Sequence, residues 1–244
     1  MSADNRLELF KNQGPKILAE VFGFSSFRPH QREIVEAVVQ GRDLFAVMPT
    51  GGGKSLCYQL PARLLPGTAV VVSPLIALMK DQVDNARAMG LNAGALNSSS
   101  TPEERSRTWR QLSDGSLDLL YVSPERLQGD FRERLGEFNL SFFAIDEAHC
   151  VSEWGHDFRP DYLGLKALVE QFPHCPVAAF TATATTQVAA DTINRLGLRD
   201  PFTGRASFSR PNLHYQVAPR AKLARPILGG LGPYSRKSGL TYRA

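Results

Sequence analysis

The segment MPTGGGKSLCYQ, Met48 to Gln59, places three consecutive glycines before one lysine and one hydroxyl residue, directly after an apolar run. Glycines in that spacing let backbone amides close around phosphate oxygens at the positive end of a following helix. Thr50, Gly51, Gly52 and Gly53 then form the cradle, Lys54 pairs with the outer phosphates, and the Ser55 hydroxyl reaches a Mg²⁺ ion. The strict form of this loop has glycine where Met48 stands, so the match is to a variant; the plainer reading is a flexible surface turn. A phosphate loop also needs a carboxylate for its metal and a base for attacking water. FFAID ends in Asp146, which can hold Mg²⁺ directly or through water, and Glu147 beside it can orient and deprotonate the water. Alone, an Asp-Glu pair after a strand more often marks a helix N-cap with a first-turn acid. In company with GGGKS the metal-and-base reading prevails. His149, closing DEAH (146–149), either senses the nucleotide or packs beneath the sheet edge. In FTATAT (180–185) the hydroxyls of Thr181 and Thr183 either bond the DEAH carboxylates and relay nucleotide state, or merely cap the helix near 186.

These residues need a frame that brings their loops together. Short β-branched or aromatic runs at 43–48, 68–73, 117–122, 140–146 and 175–182 alternate with helical patterns near 54–65, 75–89, 102–113, 124–135, 161–171 and 186–196. Apolar strands flanked by helices predict a mostly parallel sheet covered on both faces, an α/β fold. Such sheets bind ligands outside the carboxyl ends of their strands. The unusual residues sit just there, in the loops that follow strands.

Composition narrows the class. The chain has 244 residues, 43% hydrophobic and 21% charged, enough for one large core or two small ones. No run has the apolar length of a bilayer span, and the N-terminal MSADNRLELFKNQG carries charges where a signal peptide needs apolar residues, so the expected location is cytoplasmic, with no membrane partner. Cys57, Cys150 and Cys175 are scattered, with no Cys-x-x-Cys pair; buried, reduced thiols are expected. The net charge of +4 is unevenly placed. Residues 220–244 hold six basic and no acidic residues; the remaining 22 basic against 24 acidic residues leave −2 on 1–219. The body's charge therefore says little about partners. Near Pro219 the composition changes, and PILGGLGPYSRKSG is too rich in glycine and proline to continue the helical pattern.

The motifs in this order resemble superfamily 2 helicases and, more narrowly, the RecQ family of DNA helicases, from about Leu18 to Val217. The resemblance implies a three-layer RecA-like P-loop NTPase domain with ATP and Mg²⁺ as ligands. FGFSSFRPHQREIVEAV (22–38) is similar to the family's adenine motif, in which Gln31 would bond the base edge while Phe24 and Arg28 sandwich it. Phe24 stands where the family also has tyrosine; stacking survives that exchange. VVSPLIALMKDQV (71–83) and YVSPERL (121–127) resemble strand-gripping loops, with Ser73, Lys80, Ser123 and Arg126 as phosphate contacts, although each residue reads equally well as a cap or a solvated charge. CVSEWGHDFRPDY (150–162) is similar to the aromatic-rich loop that distinguishes RecQ proteins from DEAD-box RNA helicases. There Trp154 and Phe158 would stack on unpaired bases while His156 and Arg159 touch the backbone or join the loop to the ATP site. Core packing is the usual alternative for such a Trp or Phe.

SFSRPNLHYQV (207–217) closes the resemblance to a first RecA-like domain. A full motor of the family needs a second one, and RKSGLTYRA (236–244) is similar to a blurred form of its opening strand. The expected organisation is an ATP-binding domain at 1–219, then a basic linker and truncated domain start at 220–244, mobile over 221–244. The family's zinc and winged-helix modules are not matched, so no zinc is expected. In two-domain motors an arginine from the second domain stabilises the transferring phosphate, and such fingers contribute roughly 10³–10⁵ in rate. The resemblance implies the first motor domain of an ATP-dependent 3′ to 5′ DNA helicase acting on single-stranded DNA and DNA junctions, in DNA repair and recombination, with a partner possible as donor of the second domain. A non-enzymatic ATP- or DNA-binding remnant that regulates an intact helicase is the alternative. An RNA helicase is disfavoured by the aromatic-rich loop.

Overall fold

The computed structural model describes residues 2–206. The motif at 207–217, the divide at 219 and the basic segment 220–244 lie outside the described residues.

Seven parallel strands form one sheet: β1 (Leu44–Val47), β2 (Thr68–Val72), β3 (Ala93–Leu96), β4 (Leu119–Val122), β5 (Leu140–Ile145), β6 (Val177–Thr181) and β7 (Phe202–Arg205), in the order β3-β4-β2-β5-β6-β1-β7. Eight α-helices cover it: α1 (Ala3–Glu20), α2 (Gln31–Gln40), α3 (Lys54–Leu64), α4 (Ile76–Ala88), α5 (Pro102–Ser113), α6 (Asp130–Leu135), α7 (Leu165–Gln171) and α8 (Thr186–Leu196). The central strands read as continuous apolar runs because both faces are covered. Their side chains alternate between two cores. Ala46, Val71, Phe142, Ala144 and Phe180 face Phe10, Ile34, Val38, Leu60 and Met79 of the first four helices. Phe45, Val47, Val72, Phe143 and Ile145 face Leu112, Phe131, Leu135, Leu168 and Leu196 of the last four. This is the three-layer α/β architecture of a RecA-like domain.

All five expected strands and six expected helical stretches are present, with shifts at the ends. The stretch 124–135 is a short 3-10 turn at Pro124–Arg126 followed by α6, and 161–171 is a 3-10 turn at Pro160–Gly164 followed by α7. Four elements are additional: α1, α2, β3 and β7. AGAL in β3 has no β-branched residue, and a Cβ on Gly94 would meet Thr108 Oγ1 at 2.6 Å, so glycine admits α5 against the edge strand. FTGR in β7 is a short edge strand with alternating exposure.

The strand order positions the site. Chain neighbours β1 and β2 are separated in the sheet by β6 and β5. The loops after β2, β5, β6 and β1 therefore stand side by side along one carboxyl edge. Beyond the strands the ladder continues through Asp146 N–H to Val72 O at 2.9 Å and Met48 N–H to Thr181 O at 2.9 Å, which fixes the edge where the loops depart.

Candidate nucleotide site and nucleic-acid path

The loop after β1 turns at Pro49, whose carbonyl accepts from Gly52 N–H at 2.8 Å. Gly51 and Gly53 have φ of +75° and +83°, and Gly53 leads directly into α3. Side chains rarely adopt that backbone, so the glycine run is a steric requirement of the turn. A Cβ on Gly52 would also meet Pro49 O at 2.7 Å. Lys54 and Ser55 occupy the first two positions of α3, where unpaired amides favour an anion.

Lys54 bridges the DEAH carboxylates: its Nζ lies 3.5 Å from Asp146 Oδ1 and 3.1 Å from Glu147 Oε1. Burial pushes the Asp146 carboxyl above its ordinary pKa, Lys54 opposes that shift, and the neighbouring Glu147 adds to it. Glu147 has a left-handed backbone, φ +49° and ψ +43°, uncommon for a residue with a side chain. Behind it, the Tyr162 hydroxyl donates to Asp146 O at 2.9 Å. Lys54, Asp146 and Glu147 line a cleft of ≈ 460 Å³ together with Phe24, Arg28, Gln31, Thr50, Gly51, Gly53, Ser55 and Ser73. Paired acids held by one ammonium, with a hydroxyl residue at the helix start, have the donor chemistry of a Mg²⁺–phosphate site: hard oxygen ligands for the metal and a cation for phosphate. Ser55 and Asp146 fit the metal, and Lys54 fits the phosphate.

Gln31 is 2% exposed, and its amide is engaged on both sides. Its Oε1 accepts from Arg28 N–H at 2.8 Å, while Nε2 donates to the carbonyls of Gly52 and Gly53, both at 3.3 Å. The Arg28 guanidinium donates to Gly51 O. The segment similar to the adenine motif thus grips the phosphate loop itself, a connection that spacing does not reveal. Phe24, 45% exposed, presents its ring at the cleft.

The relay differs from expectation. The Thr181 hydroxyl does not meet the DEAH carboxylates; its Oγ1 lies 2.9 Å from His149 Nδ1, donates to Thr183 O at 2.9 Å and accepts from Thr183 N–H at 3.2 Å. His149 intervenes because it is buried between β6 and the DEAH turn, where burial lowers its pKa. Thr183 joins through its backbone, and it is exposed.

The expected nucleic-acid residues divide into four groups. Ser73 is buried in the nucleotide cleft, whereas Ser123 and Arg126 border a second hollow of ≈ 300 Å³ with Asn97, Ser98 and Arg105. Lys80 lies exposed on α4, away from both linings. In the loop after β5, Trp154 is 66% exposed, Phe158 and Arg159 are half-buried, and the His156 ring stacks on His149 at 4.5 Å. Exposure excludes the core-packing reading of Trp154. Its loop is anchored: Arg159 donates to Pro74 O at 3.3 Å and pairs with Asp157, and Ser152 donates to Asp191 of α8 at 2.6 Å. Tyr162, Asp191 and the Arg159–Pro74 contact carry no sequence signal, since each pairs residues that are distant along the chain or of ordinary type.

With that geometry, the class is defined: the chain belongs to the DEAD/DEAH box helicase family, whose model matches residues 28–192. Within it, the sequence groups with the RecQ helicases. It is 46% identical over 231 residues to the ATP-dependent DNA helicase RecQ of Pasteurella multocida, covering 93% of this chain and 36% of that protein. It is 45% identical over 212 residues to the probable ATP-dependent DNA helicase RecS of Bacillus subtilis, covering 86% and 42%. The chain thus spans well under half the length of these relatives. Among solved structures, the helicase MrfA bound to DNA has a TM-score of 0.62 at 18% identity, covering 79% of this chain and 29% of that one. Mycobacterium smegmatis helicase Lhr, bound to single-stranded DNA and AMP-PNP, has a TM-score of 0.61 at 21% identity, covering 76% and 26%. These two share the fold. Among the described residues, no helix is long and apolar enough to cross a membrane.

Proposed function

We propose that this chain is the ATP- and Mg²⁺-binding first motor domain of a RecQ-type 3′ to 5′ DNA helicase and carries one side of a single-stranded DNA path. The observation that carries the reading is Lys54 bridging Asp146 and Glu147 at the mouth of the glycine loop. ATP phosphates replace the carboxylates as partners of Lys54, and the loop amides take the phosphate oxygens. Ser55 and Asp146 would hold Mg²⁺, which supplies charge neutralisation at the transferring phosphate. Glu147, released from Lys54, accepts the proton of the attacking water. Phe24 and Arg28 pack against the base, and the Gln31 amide, which holds the loop in this structure, exchanges a loop contact for adenine when the base binds. Trp154 presents a stacking face to unpaired bases, and the names of the similar helicases, with the DNA in the two solved structures of the same fold, support DNA as partner.

In two-domain motors an arginine from the second RecA-like domain stabilises the transferring phosphate, and the similarity to RecQ helicases supports the same division of labour around this domain. Steady-state ATPase assays with and without single-stranded DNA test the reading. Slow hydrolysis that single-stranded DNA accelerates more than an RNA of the same sequence is expected. ATP binding without any turnover favours instead a non-enzymatic regulator.

A further inference from the structure

The expectation of no zinc rests on the unmatched zinc module and the lack of a Cys-x-x-Cys pair, but the fold assembles a different donor set beside the nucleotide cleft. His149, Cys150 and Asp157 each offer one ligand atom, and all three atoms lie within 4.8 Å of one another. His149 Nε2 lies 3.9 Å from Cys150 Sγ, and Cys150 Sγ lies 3.8 Å from Asp157 Oδ2. We propose that these three side chains form a site for a zinc-type divalent cation, which, when filled, ties the aromatic-rich loop to the DEAH segment.

Three features carry the proposal. The first is size. Zinc bonds of about 2.3 Å to sulfur and about 2.0 Å to nitrogen or oxygen, opened to a tetrahedral angle, put neighbouring donors about 3.3–3.5 Å apart. The two separations to Cys150 Sγ exceed that by about half an ångström, and the His149–Asp157 pair, within 4.8 Å, by up to about 1.5 Å, so filling the site requires the exposed Asp157 carboxylate to close in. The second is the tautomer of His149. Thr181 Oγ1 gives its proton to Thr183 O, so toward His149 it acts as acceptor and Nδ1 carries the hydrogen. The Nε2 lone pair is then directed toward Cys150, and an oriented N–H on the far ring nitrogen is the usual support of a metal-binding histidine. The third is chemistry. Imidazole and thiolate prefer zinc or cobalt to magnesium, so excess Mg²⁺ does not compete for this set. His149 and Cys150 are buried and Asp157 is exposed, which gives the cation one open side for water.

Binding releases the thiol proton of Cys150 to solvent, and the cation takes its place on sulfur. Arg159 works against occupancy, because its guanidinium donates to Asp157 Oδ2 through Nε at 3.2 Å and Nη2 at 3.1 Å. The site is therefore weaker than a four-ligand structural zinc centre and fills reversibly. His156, stacked flat on His149, shields the ring and is not a fourth ligand in this conformation. A filled site holds Asp157, three residues beyond Trp154, to the two residues that follow Glu147 and Ala148. That restraint bears on DNA coupling under the function proposed above, but the site itself is independent of it.

The test uses Co²⁺ as a spectroscopic substitute, titrated into the full chain in excess Mg²⁺ without nucleotide or DNA. One equivalent should give a thiolate-to-cobalt charge-transfer band that added Zn²⁺ removes. Cys150→Ser should abolish the band, and Cys175→Ser, which alters a buried thiol elsewhere, should leave it. Because Cys150→Ser alters the core, Asp157→Asn supplies a surface change that should weaken binding by about 10-fold or more, on the scale of changes around metal ligands. No band, a band that survives Cys150→Ser, or unchanged affinity in Asp157→Asn each overturns the proposal. ATPase activity is not read in this experiment, so its outcome is separate from that of the proposed motor function.

Discussion

Replacing Lys54 by methionine keeps the side chain's apolar stem and removes only its charge, so it tests how far the phosphate site depends on that ammonium before any nucleotide arrives. Lys54 is paired at 3.5 Å with Asp146 and at 3.1 Å with Glu147, and both its own side chain and that of Asp146 are largely shielded from solvent. At an effective dielectric of about 20, each pair contributes about 5 kcal/mol of direct attraction. Desolvation opposes this by several kcal/mol per ion, so a net loss of about 1–3 kcal/mol on removing one partner is expected.

The sign of the pH dependence follows from Asp146. Burial raises its pKa above the unfolded value, Lys54 counters the shift, and Glu147 increases it. A carboxyl whose folded pKa is raised binds more protons folded than unfolded, so stability falls as pH rises from the ordinary carboxylate value through the folded one. Removing Lys54 widens that window. His149 acts in the same direction: burial lowers its pKa and the Lys54 charge lowers it further, so the substitution eases its protonation beside Glu147. Relative to the parent chain, Lys54→Met should lose more stability at pH 8 than at pH 5. Urea unfolding without nucleotide at both pH values measures this, and calorimetry with ATP and Mg²⁺ should show binding abolished. A variant as stable as its parent at pH 8, or a deficit that does not grow with pH, refutes the electrostatic account. Unchanged ATP affinity removes Lys54 from the phosphate site.

Three further outcomes are expected. Gln31→Ala deletes the acceptor for Arg28 N–H and the donor to Gly52 O and Gly53 O, so affinity for ATP and for GTP should fall together while discrimination between them relaxes; calorimetry with both nucleotides checks it, and an unaltered ATP-to-GTP ratio denies Gln31 a role at the base. Trp154→Ala should weaken single-stranded DNA binding by about 1–3 kcal/mol with almost no change in the thermal midpoint, since the ring is 66% exposed; fluorescence anisotropy with a labelled oligonucleotide measures it, and full affinity in a folded variant ends the stacking assignment. Tyr162→Phe removes the hydroxyl bond to Asp146 O and should lower stability by about 1 kcal/mol while reducing the DNA-stimulated part of ATP turnover more than ATP affinity; equal loss of both would make Tyr162 a packing residue only.

The central sheet was legible because its strands are buried on both faces and therefore appear as uninterrupted apolar runs bounded by turns. The edge strands lacked that signal: AGAL in β3 is shaped by the approach of Thr108 and FTGR in β7 by an exposed edge, and neither constraint shows in local propensity. The helices before the phosphate loop escaped notice for other reasons, α1 because Gly14 and Pro15 interrupt its pattern and α2 because its start, at His30 with φ +67°, has no capping side chain. At the site, residue types disclosed Lys54, Asp146 and Glu147 because their spacing from strand ends is local. The partner of Thr181 was not disclosed. Hydroxyls reach what is nearest in three dimensions, and His149 stands between Thr181 and the carboxylates. Likewise the Gln31 amide belongs to the phosphate loop, more than twenty residues away, which no local pattern encodes.

If a base stacks on Trp154 as proposed, the energies at the carboxyl edge set the scale of any effect on the neighbouring nucleotide cleft. Around Trp154 the chain is fastened by Ser152 to Asp191, by Arg159 to Pro74 O, and by Tyr162 to Asp146 O. Two of these fastenings lead to loops that line the nucleotide cleft, after β2 and β5, and the third leads to the helix that follows Thr181 and Thr183. Each is a hydrogen bond with a net contribution of about 0.5–1.5 kcal/mol, or somewhat more where a charge takes part. A base stacked on Trp154 is worth about 1–3 kcal/mol. One stacked base therefore supplies enough free energy to exchange one fastening for another arrangement, but not enough to release all three. Under the proposed stacking, exchange of a single fastening to Pro74, Asp146 or α8 is the expected scale of the loop's response, and loss of all three is not.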